Sequence, residues 1–257
     1  MLRKALRVIF SLWTWFCVVF VIVGGIIPIA ITRLFVFPFD PNKIITGRMY
    51  RFLAVSSSKL SPLWRFKVYG DLPSTWPSKT VVVSNHSSNA DPFLISYLPW
   101  EMKWLAKAEL FKVPVFGPLL RLAGDIPISR KEKDSIEVAM ERCAEYLRNN
   151  VPVMIFPEGT RSKTIDMLPF KDGAFRLAIQ EQADILPLGV AGTTTALSKG
   201  SWLLSYSRAF VVVGTPISTK GLTLDDLNDL KEKVRLEIEN LRKKIIPESS
   251  DAKLLQS

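Results

Sequence analysis

The single histidine of the chain, His86, stands five residues before Asp91 in a short polar segment that follows the apolar run Val81–Val83. A neutral imidazole can remove a proton from an alcohol while the alcohol oxygen attacks a carbonyl carbon. A carboxylate on the other ring nitrogen fixes the tautomer and stabilises the imidazolium that forms. The spacing therefore predicts a His–Asp pair for general-base chemistry where a buried strand ends.

This pair also has a plain structural interpretation. His86 could simply satisfy a turn, and Asp91, which precedes Pro92, could cap a helix. Isolated matches to short motifs carry a high risk of being false positives. The assignment therefore depends on what the other polar segments of the chain contain.

A second polar segment, Phe156-Pro-Glu-Gly-Thr-Arg-Ser162, follows another apolar run. Gly159 permits close approach of the backbone to a ligand. The planar guanidinium group of Arg161 presents several N–H donors that suit a phosphate, and Thr160 adds a hydroxyl. Alone, the segment could be a polar loop in which Glu158 pairs with Arg161. In a basic protein it predicts an anion-binding loop.

Composition narrows the partners and excludes some kinds of site. The formal net charge of +10 over 257 residues indicates an anionic partner, which could be a nucleic acid, an acidic lipid surface or a phosphorylated small molecule. Cys17 and Cys143 are far apart, so neither a disulfide framework nor a thiolate metal site is expected. One histidine excludes a multi-histidine metal site. We predict no metal and no cofactor.

Strand-like and helical patterns alternate after about residue 61. The β-rich runs are Arg65–Tyr69, Thr80–Ser84, Met102–Ala106, Val153–Phe156, Ile185–Val190 and Ala209–Val213. Apolar residues recur at helical spacing over Ser135–Leu147 and again from Leu224 to Ile245, where Thr223 is the expected cap. This alternation predicts an α/β fold with a mostly parallel central sheet flanked by helices.

The N-terminal segment is long and apolar enough to enter a membrane. No charged side chain occurs from Val8 to Ile31. Gly24, Gly25 and Pro28 interrupt this run, so it could be one spanning helix or a broken pair of helices that dips into one leaflet. Basic residues on both sides discourage translocation of either end, which favours the dipping hairpin.

Three regions are therefore predicted. Residues 1–60 form a membrane anchor with a basic interfacial segment, residues 61–247 form a catalytic domain, and residues 248–257 form a loose tail. The basic surface near the anchor is expected to meet anionic lipid on the cytoplasmic side, and a bacterial inner membrane is the expected location. Because the basic residues are dispersed and coexist with an anchor, no nucleic-acid partner is predicted.

The sequence resembles the acylglycerol-phosphate acyltransferases, a family with four sequence blocks that occur here in the same order. Asn85-His86-xxxx-Asp91 matches the first block, which is the catalytic motif. Phe156-Pro-Glu-Gly-Thr-Arg161 matches the third, a glycerol-phosphate-binding loop. Gly124-Asp-Ile-Pro-Ile-Ser-Arg130 and Ile185-Leu-Pro-Leu188 resemble the more degenerate second and fourth blocks.

The resemblance implies a role for each matching residue. His86 is the general base and Asp91 orients it. The residues expected around the acceptor phosphate are Arg161, Lys107, Arg130, Glu158, Gly159 and Thr160. Those expected to support the motifs are Asn85, Gly124 and Pro187.

The resemblance also implies an activity: transfer of an acyl chain from acyl-CoA or acyl carrier protein to the sn-2 hydroxyl of 1-acyl-sn-glycerol 3-phosphate, which gives phosphatidic acid. Two alternatives stay open at this point. One is an acyltransferase for another acceptor, such as glycerol 3-phosphate, another lysophospholipid or a lyso-aminolipid. The other is a non-catalytic protein that binds anionic membrane lipid, although such a protein has no need of a general base.

Overall fold

The computed structural model describes residues 2–129, 131–162, 164–198 and 200–255. Within them the strands are β1 Trp64–Tyr69, β2 Thr80–Ser84, β3 Lys103–Lys107, β4 Ile126–Ile128, β5 Val153–Ile155, β6 Asp184–Ala191 and β7 Ser207–Val213. The α-helices are α1 Leu2–Val36, α2 Ile44–Leu60, α3 Asp91–Ile95, α4 Phe116–Ala123, α5 Lys133–Arg148, α6 Gly173–Glu181 and α7 Leu227–Ile245. Short 3-10 helices cover Ala108–Lys112, Leu224–Asp226, Ile246–Glu248 and Ser250–Leu255.

The strands form one sheet in the order β1-β7-β6-β2-β5-β3-β4. All neighbouring pairs are parallel except β6 and β7. The predicted α/β fold with a mostly parallel sheet is therefore confirmed. Sequence patterns missed β4, because a strand of three residues gives too short a run to recognise. The carboxyl ends of β2, β5, β3 and β4 meet at one edge of the sheet, which we call the carboxyl edge.

Helices cover both faces of the sheet, so the central strand β2 is apolar without alternation. Val81 and Val83 point to the face covered by α5, α6 and α7, and Val82 points to the face covered by α3. All three valines are fully buried. Burial on both faces explains the continuous apolar run that made this strand recognisable.

The break expected in the N-terminal apolar segment does not occur, since α1 continues through Gly24, Gly25 and Pro28 for 35 residues. Packing explains the difference. A Cβ atom on Gly25 would lie 2.2 Å from Leu53 Cδ1 of α2, so this glycine lets the two helices approach closely. A hairpin still forms, but its turn lies between α1 and α2 rather than inside the apolar run.

Helix α1 lies along the sheet and its flanking helices, together called the sheet domain, for most of its length. Near its start, Arg7 Nε donates to the carbonyl of Leu204 at 2.9 Å, and Trp15 Nε1 donates to the carbonyl of Trp202 at 2.8 Å. Near its end, Ile29 is buried against Leu119 of α4. The outward face is apolar and exposed, with Ile9, Leu12, Trp13, Phe16, Phe20, Val23, Ile27, Ile31 and Leu34. By length and hydropathy, Lys4–Val36 could cross a membrane.

Buried ionic contacts fix α2 to the sheet domain. Arg51 of α2 pairs with Asp125, which precedes β4. Lys103 at the start of β3 is fully buried, donates to the carbonyl of Lys43 at 2.8 Å and lies 3.1 Å from Glu101 Oε1. The anchor helices and the sheet domain are therefore joined by side chains as well as by the chain itself.

The expectation of a loose tail after residue 247 is wrong for the described residues. Residues 250–255 form a 3-10 helix in which Asp251 is buried, and its Oδ2 atom accepts the backbone N–H of Gly192 at 2.6 Å. Ser250 Oγ accepts the backbone N–H of Arg208 at 2.7 Å. The tail was expected because the ends of a chain are often loose. The sequence alone does not show that Asp251 is buried beside the sheet.

Candidate active site

His86 and Asp91 form a close pair at the carboxyl edge. His86 follows β2, and its Nδ1 atom lies 2.7 Å from Asp91 Oδ2. The same oxygen accepts the backbone N–H groups of Ser87 and Ser88 at 2.8 and 2.9 Å. Asp91 is fully buried at the start of α3, while the imidazole is partly exposed, and its Nε2 atom has no hydrogen-bond partner among the described residues. This geometry suits a base that receives a proton on Nε2.

The ring of Phe156 stacks on the imidazole. The two ring centroids lie 4.0 Å apart, and the planes are inclined by 17°. Phe156 directly follows β5, and His86 lies just after the neighbouring strand β2. The pairing of these two strands therefore brings the two rings together. Sequence reasoning placed Phe156 at the end of the run Val153–Phe156 and at the start of the loop, without a role at the site. Its position at the end of a buried strand was the available signal for a role beside His86.

Glu158 joins the two motifs through hydrogen bonds from the protein backbone. Its Oε1 atom accepts the backbone N–H of His86 at 2.7 Å, and its Oε2 atom accepts that of Leu168 at 2.8 Å. The side chain is buried, and burial raises the pKa of its carboxyl while the two N–H groups oppose that rise. Both carboxylate oxygens of Glu158 therefore accept backbone N–H groups, and its role at the acceptor phosphate stays a prediction. The backbone N–H of Ser162 also bonds to the carbonyl of His86 at 2.9 Å.

Asn85 and Ser88 attach the histidine segment to β6 and to the loop that follows it. Asn85 Nδ2 donates to the carbonyl of Val190 at 3.0 Å, and the N–H of Val190 donates back to Asn85 Oδ1 at 2.9 Å. Ser88 Oγ donates to the carbonyl of Leu197 at 3.1 Å. The supporting role expected for Asn85 therefore takes the form of a clamp between the ends of β2 and β6.

Several cationic side chains occur at the same edge. Lys107 ends β3, is exposed, and lies 3.1 Å from Glu109 Oε1. Arg161 is half-buried in the loop after β5, and Thr160 beside it is exposed. Arg130, predicted to bind the same phosphate, lies outside the described residues.

Lys171 is a further cation at this edge. Gly159 adopts a left-handed backbone with φ of 68°, and a Cβ atom there would lie 2.9 Å from Lys171 Cε. Lys171 is exposed, and its backbone N–H donates to the carbonyl of Pro157 at 2.8 Å. The only sequence signal for it was its place immediately before α6.

A cavity of about 190 Å³ opens beside this loop. Apolar side chains from β3, β4 and α5 line most of it, among them Leu105, Ile128 and Met140, and Lys171 lies at its polar part. The carboxyl edge thus offers a base, cationic groups and an adjacent apolar space.

Gly124 and Pro187 lie away from the reactive groups. Gly124 ends α4 in a left-handed conformation at the amino end of β4. Pro187 lies within β6, where it pairs with Val83 and accepts the backbone N–H of Gly214 at 2.9 Å. These positions suit the structural support expected of both residues. Among the described residues, no three His, Cys, Asp or Glu side chains are grouped in a way that could hold a metal ion.

This chain is similar to proteins of one family. The sequence model of the family described as Acyltransferase matches residues 65–191. The 1-acyl-sn-glycerol-3-phosphate acyltransferase of Haemophilus influenzae is 30% identical over 177 residues, which cover 67% of this chain and 72% of that protein. The corresponding alpha enzyme of Mus musculus is 42% identical over 166 residues, which cover 63% of this chain and 58% of that protein.

One solved structure shares the fold. The crystal structure of the 1-acyl-sn-glycerophosphate acyltransferase PlsC from Thermotoga maritima superposes with a TM-score of 0.78 over 94% of this chain and 97% of that chain, at 22% identity. The chain spans 58% of the length of two of the curated relatives that it matches. The sequence matches and the shared fold lead to one assignment: the chain belongs to the 1-acyl-sn-glycerol-3-phosphate acyltransferase family.

Proposed function

We propose that the chain transfers an acyl group from a thioester donor, acyl-CoA or acyl carrier protein, to the sn-2 hydroxyl of 1-acyl-sn-glycerol 3-phosphate, with His86 as general base. The observation that carries the proposal is the 2.7 Å contact between His86 Nδ1 and buried Asp91, which leaves Nε2 for the acceptor hydroxyl. The names of the relatives in mouse and Haemophilus influenzae support the acceptor and the reaction.

The proposed reaction is one proton transfer coupled to one acyl transfer. The acceptor phosphate binds Arg161 and Lys107, which brings the free hydroxyl towards His86. Nε2 takes the hydroxyl proton while the oxygen bonds to the thioester carbonyl carbon, and the carbon–sulfur bond then breaks. The imidazolium returns its proton to the departing thiolate. Asp91 remains ionised and stabilises the imidazolium, and the bound positions of both substrates supply much of the rate.

The cysteines do not suit a covalent acyl-enzyme route. Cys143 lies on the fully buried face of α5, and burial raises the pKa of its thiol to about 12. A thiol of that kind is a poor nucleophile at neutral pH. Cys17 is also buried, within α1. Direct attack by the acceptor hydroxyl is therefore the simpler route.

We further propose that α1 and α2 attach the enzyme to one leaflet without crossing it. Because α1 contacts the sheet domain near both of its ends, it cannot cross a bilayer unless that domain enters the bilayer too. Its exposed apolar face is free to enter the acyl region, while Arg48 and Lys43 lie near the anionic headgroups. We place the sheet domain on the cytoplasmic face of a bacterial inner membrane.

An acceptor and donor panel tests the proposed function. Full-length enzyme in phospholipid vesicles is supplied with palmitoyl-CoA or palmitoyl carrier protein and with one acceptor: 1-acyl-sn-glycerol 3-phosphate, glycerol 3-phosphate, lysophosphatidylcholine or a lyso-aminolipid. We expect phosphatidic acid from the first acceptor to form fastest. Faster acylation of a different acceptor would reassign the substrate, and the absence of any acyl transfer would leave the lipid-binding alternative.

A further inference from the structure

A second cavity lies beside β4, the edge strand of the sheet. Its volume is about 550 Å³. Its walls are the segment before α2, the 3-10 helix Ala108–Lys112, α4, β4 and α5. Among the described residues, neither His86 nor the loop 156–162, which we call the phosphate-side loop, lines it. We call this cavity the edge groove, and the proposed reaction gives it no role.

Cationic side chains dominate the lining of the edge groove. Among the described residues, the cations are Lys43, Lys112, Arg121 and Arg142, and the single carboxylate is that of Asp125. Asp125 is buried and paired with Arg51 of α2, so its charge is already balanced within the protein. The edge groove is therefore strongly positive, and an anion is the ligand that this charge favours.

Two of these cations have no counter-charge in the protein. Lys112 and Arg121 are exposed, and neither side chain forms an ion pair with any described residue. Arg142 lies 2.9 Å from Glu145 Oε2, but that carboxylate is exposed and does not line the groove. Exposed cations alone are often only solvated, so the geometry of the groove must show whether a site is built.

Gly124 lets two polar side chains approach each other in the wall of the groove. Its backbone is left-handed, with φ of 82°, and a Cβ atom there would lie 2.8 Å from Tyr146 Oη and 3.1 Å from Lys43 Cδ. Lys43 Nζ is held in place by a 2.9 Å hydrogen bond to the carbonyl of Arg121, which uses one of its three donors. The hydroxyl of Tyr146, which is 9% exposed, has no hydrogen-bond partner among the described residues. Two fixed donors therefore remain available to a ligand.

Like charges crowd the ammonium group of Lys43. Burial lowers its pKa most, and the cations of Arg33, Arg142 and Lys103 lower it further, while Asp125 opposes them. A bound phosphate would relieve this repulsion, because an opposite charge nearby favours the charged form of an ammonium group. The charge and the fixed donors thus favour the same kind of ligand.

The edge groove and the cavity beside the phosphate-side loop are neighbours along one strand and one helix. Strand β4 contributes Ile128 to that cavity and Pro127 to the edge groove. Helix α5 contributes Met140 to that cavity and Arg142 to the edge groove. An acyl-CoA donor carries its phosphates at a distance from its thioester, so it suits two adjacent sites of this kind.

The groove also lies close to the proposed membrane surface. Lys43, which lines it, follows the turn between α1 and α2, where Phe37 and Phe39 are exposed. Exposed aromatic rings of this kind are common at the headgroup level of a bilayer. The phosphate of a lipid headgroup is therefore a second source of the same ligand chemistry.

We propose that the edge groove is a phosphate-binding site separate from the acceptor site at Arg161. Lys43, Lys112 and Arg121 provide its charge, and Tyr146 adds a hydroxyl donor. The phosphate belongs either to the nucleotide of an acyl-CoA donor or to the headgroup of a neighbouring lipid. The nucleotide source rests on the proposed function, whereas binding itself is measured without acyl transfer.

Calorimetric titration of full-length protein in detergent micelles tests the proposal with two probes. Adenosine 3′,5′-bisphosphate represents the nucleotide end of CoA, with adenosine as its uncharged control. Dihexanoyl phosphatidylglycerol represents the lipid headgroup. Circular dichroism reports folding of each variant, and the KM values for palmitoyl-CoA and for the acceptor are measured in parallel.

The main variant is the double substitution Lys112→Met and Arg121→Met, which removes the two cations that have no counter-charge. Its matched control, Arg65→Met with Lys67→Met, removes the same two charges from exposed positions of β1 at the opposite edge of the sheet. A second variant, Val138→Glu, adds a negative charge at an exposed residue that lines the groove, and Val138→Gln is its neutral control.

We expect one probe to bind wild type and the double variant to bind it about tenfold or more weakly, because charge-assisted contacts to phosphate are lost. Val138→Glu should weaken the same probe more than Val138→Gln does, and the β1 control should bind as wild type does. If the probe is the nucleotide, the KM for palmitoyl-CoA should rise with its Kd while the acceptor KM stays in place. If the probe is the lipid, both KM values should stay in place.

The inference would be overturned if wild type bound neither probe, or if the double variant bound as the β1 control does. A rise in the acceptor KM would also overturn it, because the groove would then belong to the acceptor site. If the double variant does not fold, Val138→Glu against Val138→Gln decides. A wild type that lacks acyl transfer would contradict the proposed function, while the calorimetric titrations would still decide whether the groove binds phosphate.

Discussion

The carboxylate of Glu158 accepts the backbone N–H of His86 at 2.7 Å, so one buried side chain joins the phosphate-side loop to the catalytic histidine. The acidic residue of this loop therefore contributes by fixing where His86 stands relative to Arg161. The two loops follow the adjacent parallel strands β2 and β5. This hydrogen bond fixes the position of one loop relative to the other.

Glu158→Gln should misplace the loop, since the amide NH₂ group would face the N–H of either His86 or Leu168, where a carboxylate oxygen now accepts. We expect a loss of about 1–3 kcal/mol in the free energy of unfolding, together with a lower kcat. Denaturant unfolding and initial rates check this. Glu232→Gln, which changes an exposed carboxylate of α7, is the control, and equal behaviour of the two variants would refute the bridging role.

The same substitution should show a characteristic pH dependence. Burial raises the pKa of Glu158, so the folded protein binds more protons than the unfolded chain near that pKa. Wild-type stability from this group therefore falls as pH rises through the raised pKa, whereas glutamine does not titrate. The destabilisation caused by Glu158→Gln should be larger at pH 4 than at pH 7. A difference that grows with pH would contradict the direction of the shift.

Phe156→Leu should slow the reaction without weakening substrate binding, because it removes the ring that stacks on His86 and leaves an apolar side chain in place. We expect kcat to fall by about tenfold or more at an unchanged KM, since misplacing a general base forfeits part of its contribution. Phe210→Leu removes a buried ring from β7 and serves as the comparison. If Phe156→Leu lowers stability but leaves kcat unchanged, the ring of Phe156 contributes to packing and not to catalysis.

Arg161→Ala should act mainly on the acceptor. A charge-assisted contact to phosphate is worth about 1.5–3 kcal/mol, which corresponds to a rise in acceptor KM of about ten- to a hundredfold. Lysine at the same position should recover part of this loss, because it keeps the charge without the fork of donors. Arg65→Ala, which removes an exposed cation from the edge strand β1, is the control. If the KM for the acyl donor rises instead, Arg161 binds the donor and the proposed placement of the acceptor is wrong.

Two adjacent glycines give a matched test of the anchor hairpin. A side chain on Gly25 would collide with Leu53 of α2, whereas a Cβ atom on Gly24 has nothing within 4 Å. Gly25→Leu should therefore lower the thermal unfolding midpoint in detergent, Gly24→Leu should not, and Leu53→Ala should partly rescue Gly25→Leu. Equal unfolding midpoints of the two glycine variants would contradict the close packing of α1 against α2 at Gly25.

Much of the fold follows from local sequence signals. The remaining parts are set by tertiary contacts. The buried run Val81–Val83 revealed β2 because an interior parallel strand is apolar on both faces. The sequence did not show that α1 continues through Pro28. Packing against α2 and α4 overrides the local preference of glycine and proline to interrupt a helix. Asp251 was assigned to a tail because nothing in its own segment indicates burial.

In the candidate site, too, local sequence signals were readable and tertiary contacts were not. His86 and Asp91 were predictable because they are close in sequence and their residue types limit the chemistry. The bridging role of Glu158 was not, because it depends on the distance between two loops that lie 72 residues apart. The contact of Phe156 with His86 was missed for a similar reason, since the two residues follow different strands.

The most direct measurement is the single-turnover rate of phosphatidic acid formation by His86→Ala in vesicles, with vesicle binding and circular dichroism recorded on the same sample. We expect the protein to fold and bind vesicles as wild type does, while the rate falls by about a thousandfold, within the range that general-base catalysis contributes. A rate within tenfold of wild type would contradict the assignment of His86 as the base.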